Sequence, residues 1–292
     1  MLSRRGFLGQ AAVAVGALAV ADSLTYAGER RNLKSLTDRV ELGHTGIHTS
    51  VLGMGTGSTG VGHSSNQVRL GNTQFCKLVR YAYDKGLTYF DTADQYGSHI
   101  YLRDALKGLP RERLFIQTKT HAYTPDMAKA DIERFRQELG TEYVDTLLLH
   151  CMTTGNWPTD LRATMDCLND FKRKGWVRAV GVSCHSMAPL RAATKCDWID
   201  VDLARINPVG VKARMDGTPE EVIPCLRAIH DKGKGVIGMK ILGEGTFRKP
   251  EQRKESLRFV LNLGCVDCFC IGFEKPEQID EILRMGEEVL KG

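Results

Sequence analysis

The sequence has no low-complexity tract and no strongly apolar run of the length that a bilayer-spanning helix takes, about 20 residues. It lacks the compositional marks of a disordered chain, with 42% hydrophobic and 26% charged residues. A formal net charge of +5 over 292 residues is too mild for a nucleic-acid partner. The basic side chains, among them Lys129, Arg134, Arg136 and Lys172, fall on predicted helices without aromatic interleaving and read as solvated faces. Nine cysteines are an odd number in a chain large enough to fold without staples, which excludes a disulfide framework and predicts reduced, packing thiols. Cys265, Cys268 and Cys270 lie on or beside an apolar strand, where alternation sends them to different faces. His44, His48, His63, His99, His121, His185 and His230 show no metal-ligand spacing, so no metal is predicted.

What is present begins at the N-terminus. Ser3-Arg4-Arg5-Gly6-Phe7-Leu8 precedes an apolar stretch over 11–21, rich in Ala and Gly, that ends in the small-x-small triplet Ala19-Val20-Ala21. This resembles a bacterial twin-arginine signal peptide. The expectation is a signal over 1–21, a linker over 22–38, and one catalytic domain over 39–292 without a stable membrane span. Its location is then periplasmic or otherwise exported, with the twin-arginine translocase as a transient partner. That route carries folded proteins, which reconciles reduced cysteines with an oxidising destination.

From Val40 onward short β-rich runs alternate with longer amphipathic stretches, the pattern of a parallel sheet covered by helices. The strands are placed at 51–55, 88–92, 114–120, 144–150, 177–183, 201–207, 235–241 and 266–272. Eight such strands predict an α/β fold closed as a (β/α)8 TIM barrel. Helical periodicity is clearest over 125–139, 161–174, 219–231 and 276–290. Val40 to Gly43 and Ile47 to Thr49 flank a turn and predict a β-hairpin plugging the barrel's N-terminal end. Gly55, Gly57 and Gly60 superficially match a dinucleotide fingerprint, but that motif must open a helix at once, and residues 61–66 read as loop. The glycines are expected instead to permit close backbone approach at the barrel mouth.

Active sites of such barrels form where strands end. Asp91 ends the second predicted strand, Tyr96 follows it in Asp94-Gln95-Tyr96-Gly97, Lys119 ends the third and His150 ends the fourth. Hydride addition to a carbonyl builds charge on oxygen that needs a proton, and these residue types supply one. Tyr96 is the candidate donor, Lys119 the cation that stabilises its ionised form, Asp91 the anchor of the lysine, and His150 the group that orients the substrate oxygen.

Phe-Asp-Thr-Ala-x-x-Tyr-Gly at 90–97, Thr118-Lys119 and Leu148-Leu149-His150 together resemble the aldo-keto reductase family. The similarity runs from the hairpin near Val40 to Ile282, through Gly181-Val182-Ser183 and Met239-Lys240-x-Leu242-Gly243. The resemblance implies reduction of an aldehyde or ketone with NADP or NAD. It implies that Ser183 holds the nicotinamide carboxamide, and that Lys240, Leu242, Gly243 and Gly245 cradle the pyrophosphate. Two departures stand out. Cys184 replaces the family's frequent Asn, and Leu203 its Gln, which weakens the carboxamide anchor. At the adenosine 2′-phosphate position Gly272, Phe273 and Gln278 replace the family's basic residues, leaving Lys275 nearby, so NADH is expected to serve at least as well as NADPH. Loops over 58–72 and 151–159 are expected to shape an open substrate pocket, with Trp157 as a wall. Two other readings are a non-catalytic cofactor-binding or sensing module, and Lys119 as a Schiff-base nucleophile.

Overall fold

The computed structural model describes residues 32–292, so the signal expected over 1–21 lies outside the described residues. Two short antiparallel strands, β1 (Arg39–Glu41) and β2 (His48–Ser50), precede eight parallel ones. These are β3 (Leu52–Gly55), β4 (Tyr89–Asp91), β5 (Phe115–Thr120), β6 (Val144–Met152), β7 (Val177–Cys184), β8 (Val201–Arg205), β9 (Gly235–Met239) and β10 (Cys268–Gly272). They pair in chain order, and β10 closes on β3, giving the predicted barrel. Each barrel strand is covered on both faces and is buried almost throughout, as in the all-buried run of β5.

The helices follow from local signals. α1 (Asn72–Asp84), α2 (His99–Leu106), α3 (Pro125–Leu139), α4 (Trp157–Asp160), α5 (Arg162–Arg173), α6 (Met187–Ala193), α7 (Pro219–His230), α8 (Pro250–Asn262) and α9 (Pro276–Leu290) ring the barrel. In α3, the Thr124 side chain accepts from the Met127 amide and Pro125 supplies the preset φ of a first turn. Ala128, Ile132, Phe135 and Leu139 form its buried stripe, and Gly140 at φ +62 ends it. The loop expected over 58–72 contains a 3-10 turn at Val68–Leu70, and α1 begins at Asn72, burying Phe75, Leu78, Val79 and Ala82.

Strand ends differ from expectation where the backbone turns. β8 stops at Arg205 because the Asn207 carboxamide accepts from the Val209 and Gly210 amides and bends the chain outward. β9 stops at Met239 ahead of Lys240, which sits at φ +59. β6 runs past His150 to Met152, through a register shift against β7 between Leu149 and Met152.

The hairpin sits where it was expected. Leu42 and Ile47 are buried, the His44 amide donates to Gly233 O at 2.8 Å, and the Gly43 amide donates to Asp267 Oδ2 at 3.1 Å. Asp267 also accepts from Val236 of β9, so one carboxylate joins the hairpin tip to the bottom of the barrel. Gly43 has φ +53, and a Cβ there would lie 2.5 Å from Gly235 N and from Lys234 C. Gly43→Ala is expected to destabilise the fold by about 2–4 kcal/mol, from backbone strain plus overpacking. Urea unfolding would show this as a lowered midpoint with unchanged slope; an unmoved midpoint would mean that the hairpin does not cap the barrel.

Candidate active site

Three adjacent strands deliver the four predicted catalytic side chains to one rim. Asp91 closes β4, Lys119 lies near the end of β5 and His150 near the end of β6. The Lys119 ammonium donates to Asp91 Oδ1 at 2.5 Å and to Thr92 O at 2.8 Å. Gln117 donates to the same Asp91 oxygen at 2.7 Å, so the carboxylate is shared between a charge and a neutral amide. Burial alone would strip the proton from a lysine that is 1% exposed, but the Asp91 carboxylate outweighs it and holds Lys119 above the ordinary lysine range.

Tyr96 reaches the same point from the 3-10 turn Asp94–Tyr96, which Gly97 ends in the left-handed region. Its ring stands against the glycine loop: a Cβ on Gly57 would lie 2.2 Å from Cε2, and one on Gly60 2.4 Å from Cδ1. This is the close approach expected of those glycines, made by a side chain. Lys119 Nζ lies 4.9 Å from the Tyr96 ring centroid, and the His150 ring meets Tyr96 edge-on at 5.7 Å. Burial pushes the Tyr96 phenol up; Lys119 opposes and Asp91 adds to the rise, leaving it well above the ordinary tyrosine value. Lys119 thus acts on the phenol in the predicted direction, and burial outweighs it. His150 is 3% exposed, and burial, then the Lys119 charge, hold it neutral far below the usual histidine range.

Asp91 and Tyr96 form the floor of an open cavity of about 550 Å³ at the strand C-termini. Lys240, Leu242 and Gly245 line it, while Gly243 is buried behind them, where a Cβ would meet Thr246 Oγ1. The Gly243, Gly245 and Thr246 amides donate to carbonyls within this loop, and Lys240 Nζ is held at 2.5 Å by Glu244, itself 3.5 Å from Arg214. Ser183 is fully buried near the end of β7, with an unpartnered Oγ. Lys275 is exposed at the start of α9; the cavity wall there is Glu274 and Gln278. Arg253 and Glu281, paired at 2.5 Å, also line it and carried no sequence signal of their own.

Trp157 requires a correction. It is 1% exposed, donates from Nε1 to Pro189 O at 3.3 Å, and meets Trp198 edge-on at 6.2 Å. Its large apolar face anchors α4 to α6 instead of walling the pocket.

Sequence reasoning also missed the polar company around His150. His121 stacks at 4.6 Å, His185 lies 6.1 Å away, and Arg205 donates to His185 Nδ1 at 2.5 Å. All stand at or just past strand ends, a signal that was available. Behind Ser183, Asp202 is fully buried and its Oδ2 has no partner. Burial pushes its carboxyl up to about 7; the Cys184 thiol, 3.6 Å away, pulls the other way.

A charged lysine buried against a carboxylate, under a tyrosine at the mouth of a parallel barrel, defines a barrel enzyme with its chemistry at the strand C-termini. The chain belongs to the Aldo/keto reductase family, whose sequence profile matches residues 51–258, a family of NAD(P)-dependent oxidoreductases. It is 28% identical over 225 residues to a probable aldo-keto reductase 1 of Glycine max, covering 71% of this chain and 60% of that one. It is 27% identical over 193 residues to an NADH-specific methylglyoxal reductase of Escherichia coli strain K12, covering 58% and 59%. The chain thus spans about three fifths of the length of these curated relatives. A solved putative aldo-keto reductase from Pseudomonas aeruginosa shares the fold with a TM-score of 0.70 at 21% identity, over 89% of this chain and 98% of that one.

Asp202 makes stability depend on pH. The unfolded chain releases this proton near 3.8, whereas the folded protein keeps it to about 7. Between those values the unfolded state binds fewer protons, so this residue lowers stability as pH rises. Asp202→Asn is expected to match wild type near pH 4 and to exceed it at pH 8 by on the order of 2–4 kcal/mol. Melting curves across that range measure it; a gap between the two proteins that does not widen with pH would clear Asp202 of the role.

Proposed function

We propose that this protein reduces an aldehyde or ketone, reversibly, with hydride from NAD(P)H and Tyr96 as proton donor. The observation that carries the reading is the clustering of Asp91, Tyr96, Lys119 and His150 at one end of the barrel, with Asp91 and Tyr96 lining an open cavity. A dinucleotide fits the residues present: the buried, partnerless Ser183 Oγ suits a carboxamide, and Lys240, on release from Glu244, suits a pyrophosphate. When bound, it supplies the hydride.

The side chains do the rest. Tyr96 keeps its proton at neutral pH, and gives it up only to a base as strong as a forming alkoxide. Lys119 then faces the phenolate left behind, and Asp91 keeps that lysine charged. Neutral His150 has an imidazole N–H to direct the carbonyl oxygen toward Tyr96. A lysine held above its ordinary range is a poor nucleophile, so the Schiff-base reading finds no support here.

NADH suits the far end of the cavity at least as well as NADPH, because Arg253 is taken by Glu281 and Glu274 adds a carboxylate where an extra phosphate would sit. Tyr96→Phe is expected to lower kcat by about 10²- to 10⁴-fold while dinucleotide binding, followed by nicotinamide fluorescence, persists. Retained turnover would remove Tyr96 from the reaction, and a large wild-type preference for NADPH would overturn the cofactor assignment.

The protein is further proposed to reach the periplasm, or another exported location, through the twin-arginine translocase, on the strength of Arg4-Arg5 and the apolar stretch behind them. Replacing both arginines by lysine is expected to leave the full-length precursor in the cytoplasm. Export of that double variant at the wild-type rate would refute the route.

A further inference from the structure

The barrel mouth gathers more imidazole and sulfur than carbonyl reduction uses. A ring nitrogen of His121, one of His150 and the Cys151 sulfur all lie within 4.8 Å of one another. Neighbours on a regular strand face opposite sides, yet His150 and Cys151 reach the same point. The register shift after Leu149 and the left-handed backbone of Cys151, at φ +57, bring them together. His150 is 3% exposed and its Nδ1 has no hydrogen-bond partner.

We propose that His121, His150 and Cys151 form a three-ligand site for a divalent cation of the zinc class, with a fourth position left for water. Two imidazoles and a thiolate match borderline-soft ions and are a poor set for magnesium or calcium. Zinc bonds of about 2.0–2.3 Å set tetrahedral ligand atoms about 3.5 Å apart, so the three groups need close by only about 1 Å. His121 and Cys151 are half-buried, and the adjustment would trade the 3.2 Å contact of His121 Nε2 with Gln95 Oε1 for the ion.

The surroundings act on the ligands. Burial holds both His121 and His150 below the ordinary histidine value, so each is neutral and able to ligate. The Arg205 guanidinium can only donate, which assigns the acceptor role to His185 Nδ1 and leaves Nε2–H to donate toward Cys151 Sγ at 3.6 Å. That contact orients the sulfur and supports its thiolate. Lys119, Arg205 and Lys240 each pair with a carboxylate, Asp91, Asp216 and Glu244, yet their charges still reach the site, favouring the Cys151 thiolate while repelling the ion it would bind. Burial raises the Cys151 thiol, so binding must displace its proton.

An ion held here would fix the His150 ring through its lone-pair nitrogen and set a positive charge beside it, and so is expected to slow carbonyl reduction. This consequence rests on the function proposed above, whereas the site itself does not.

The test titrates the full chain with Co²⁺ and with Zn²⁺. Wild type is expected to show thiolate-to-cobalt charge-transfer absorption and to release about one proton more per Zn²⁺ than Cys151→Ser. Cys151→Ser is expected to lose that absorption, His121→Ala to bind at least 10-fold more weakly, and His185→Ala roughly 10- to 100-fold more weakly. Inhibition of carbonyl turnover by Zn²⁺, measured for each protein against its own metal-free rate, is expected in wild type and to disappear in Cys151→Ser. Absence of the absorption in wild type, its survival in Cys151→Ser, or unchanged affinity in His121→Ala would overturn the site. Metal binding with the cobalt signature but undiminished turnover would uphold the site and overturn the placement of His150 at the substrate oxygen.

Discussion

A lysine ammonium with 1% exposure persists in a barrel core only because a carboxylate lies against it, and the contact between Lys119 and Asp91 at 2.5 Å is the constraint on which the rim depends. Removing either partner would leave an uncompensated buried charge, a loss of about 3–5 kcal/mol in comparable settings. The pair belongs to a wider net: Gln117 donates to Asp91 and to the Tyr89 hydroxyl and accepts from Thr146. Strands β4, β5 and β6 are therefore tied by side chains as well as by their ladders, which fixes the positions from which Tyr96 and His150 meet.

The same ammonium sets the electrostatics of its neighbours. It lowers His150, and together with Arg205 it lowers His185, which burial and those charges push down to about 3. Imidazoles around the mouth are thereby held neutral, fit to donate one hydrogen bond and to offer one lone pair. Neutral imidazoles beside a thiol have two uses that meet at His150: an N–H that orients a carbonyl oxygen and a lone pair that holds a cation. The phenol of Tyr96 responds in the other direction, because burial outweighs the partly neutralised lysine.

Function and stability occupy opposite ends of the barrel. At the N-terminal end the hairpin, Asp267 and the backbone around Gly233 form a close-packed plug with no room at Gly43. At the C-terminal end the backbone takes unusual conformations at Cys151, Lys240 and Glu244, all with positive φ. Such residues persist only where their surroundings hold them, and here they flank the cavity and the histidine cluster.

The sequence by itself determined the barrel, its hairpin and the four candidate positions on its rim, since β-rich runs with polar residues at their ends write strand order and rim chemistry into local pattern. Helices such as α1 and α6, whose local patterns were less clear, went unplaced. Tertiary structure alone decided what depends on packing between distant segments. It buried Trp157 against Pro189, turned Lys240 toward Glu244, left Lys275 outside the cavity and set the burial that outweighs Lys119 at the Tyr96 phenol. It also brought His121, Cys151 and His185 around His150, because a register shift within β6 reverses the facing that strand alternation dictates. Desolvation and register are properties of the assembled barrel, and no single segment of the sequence carries them.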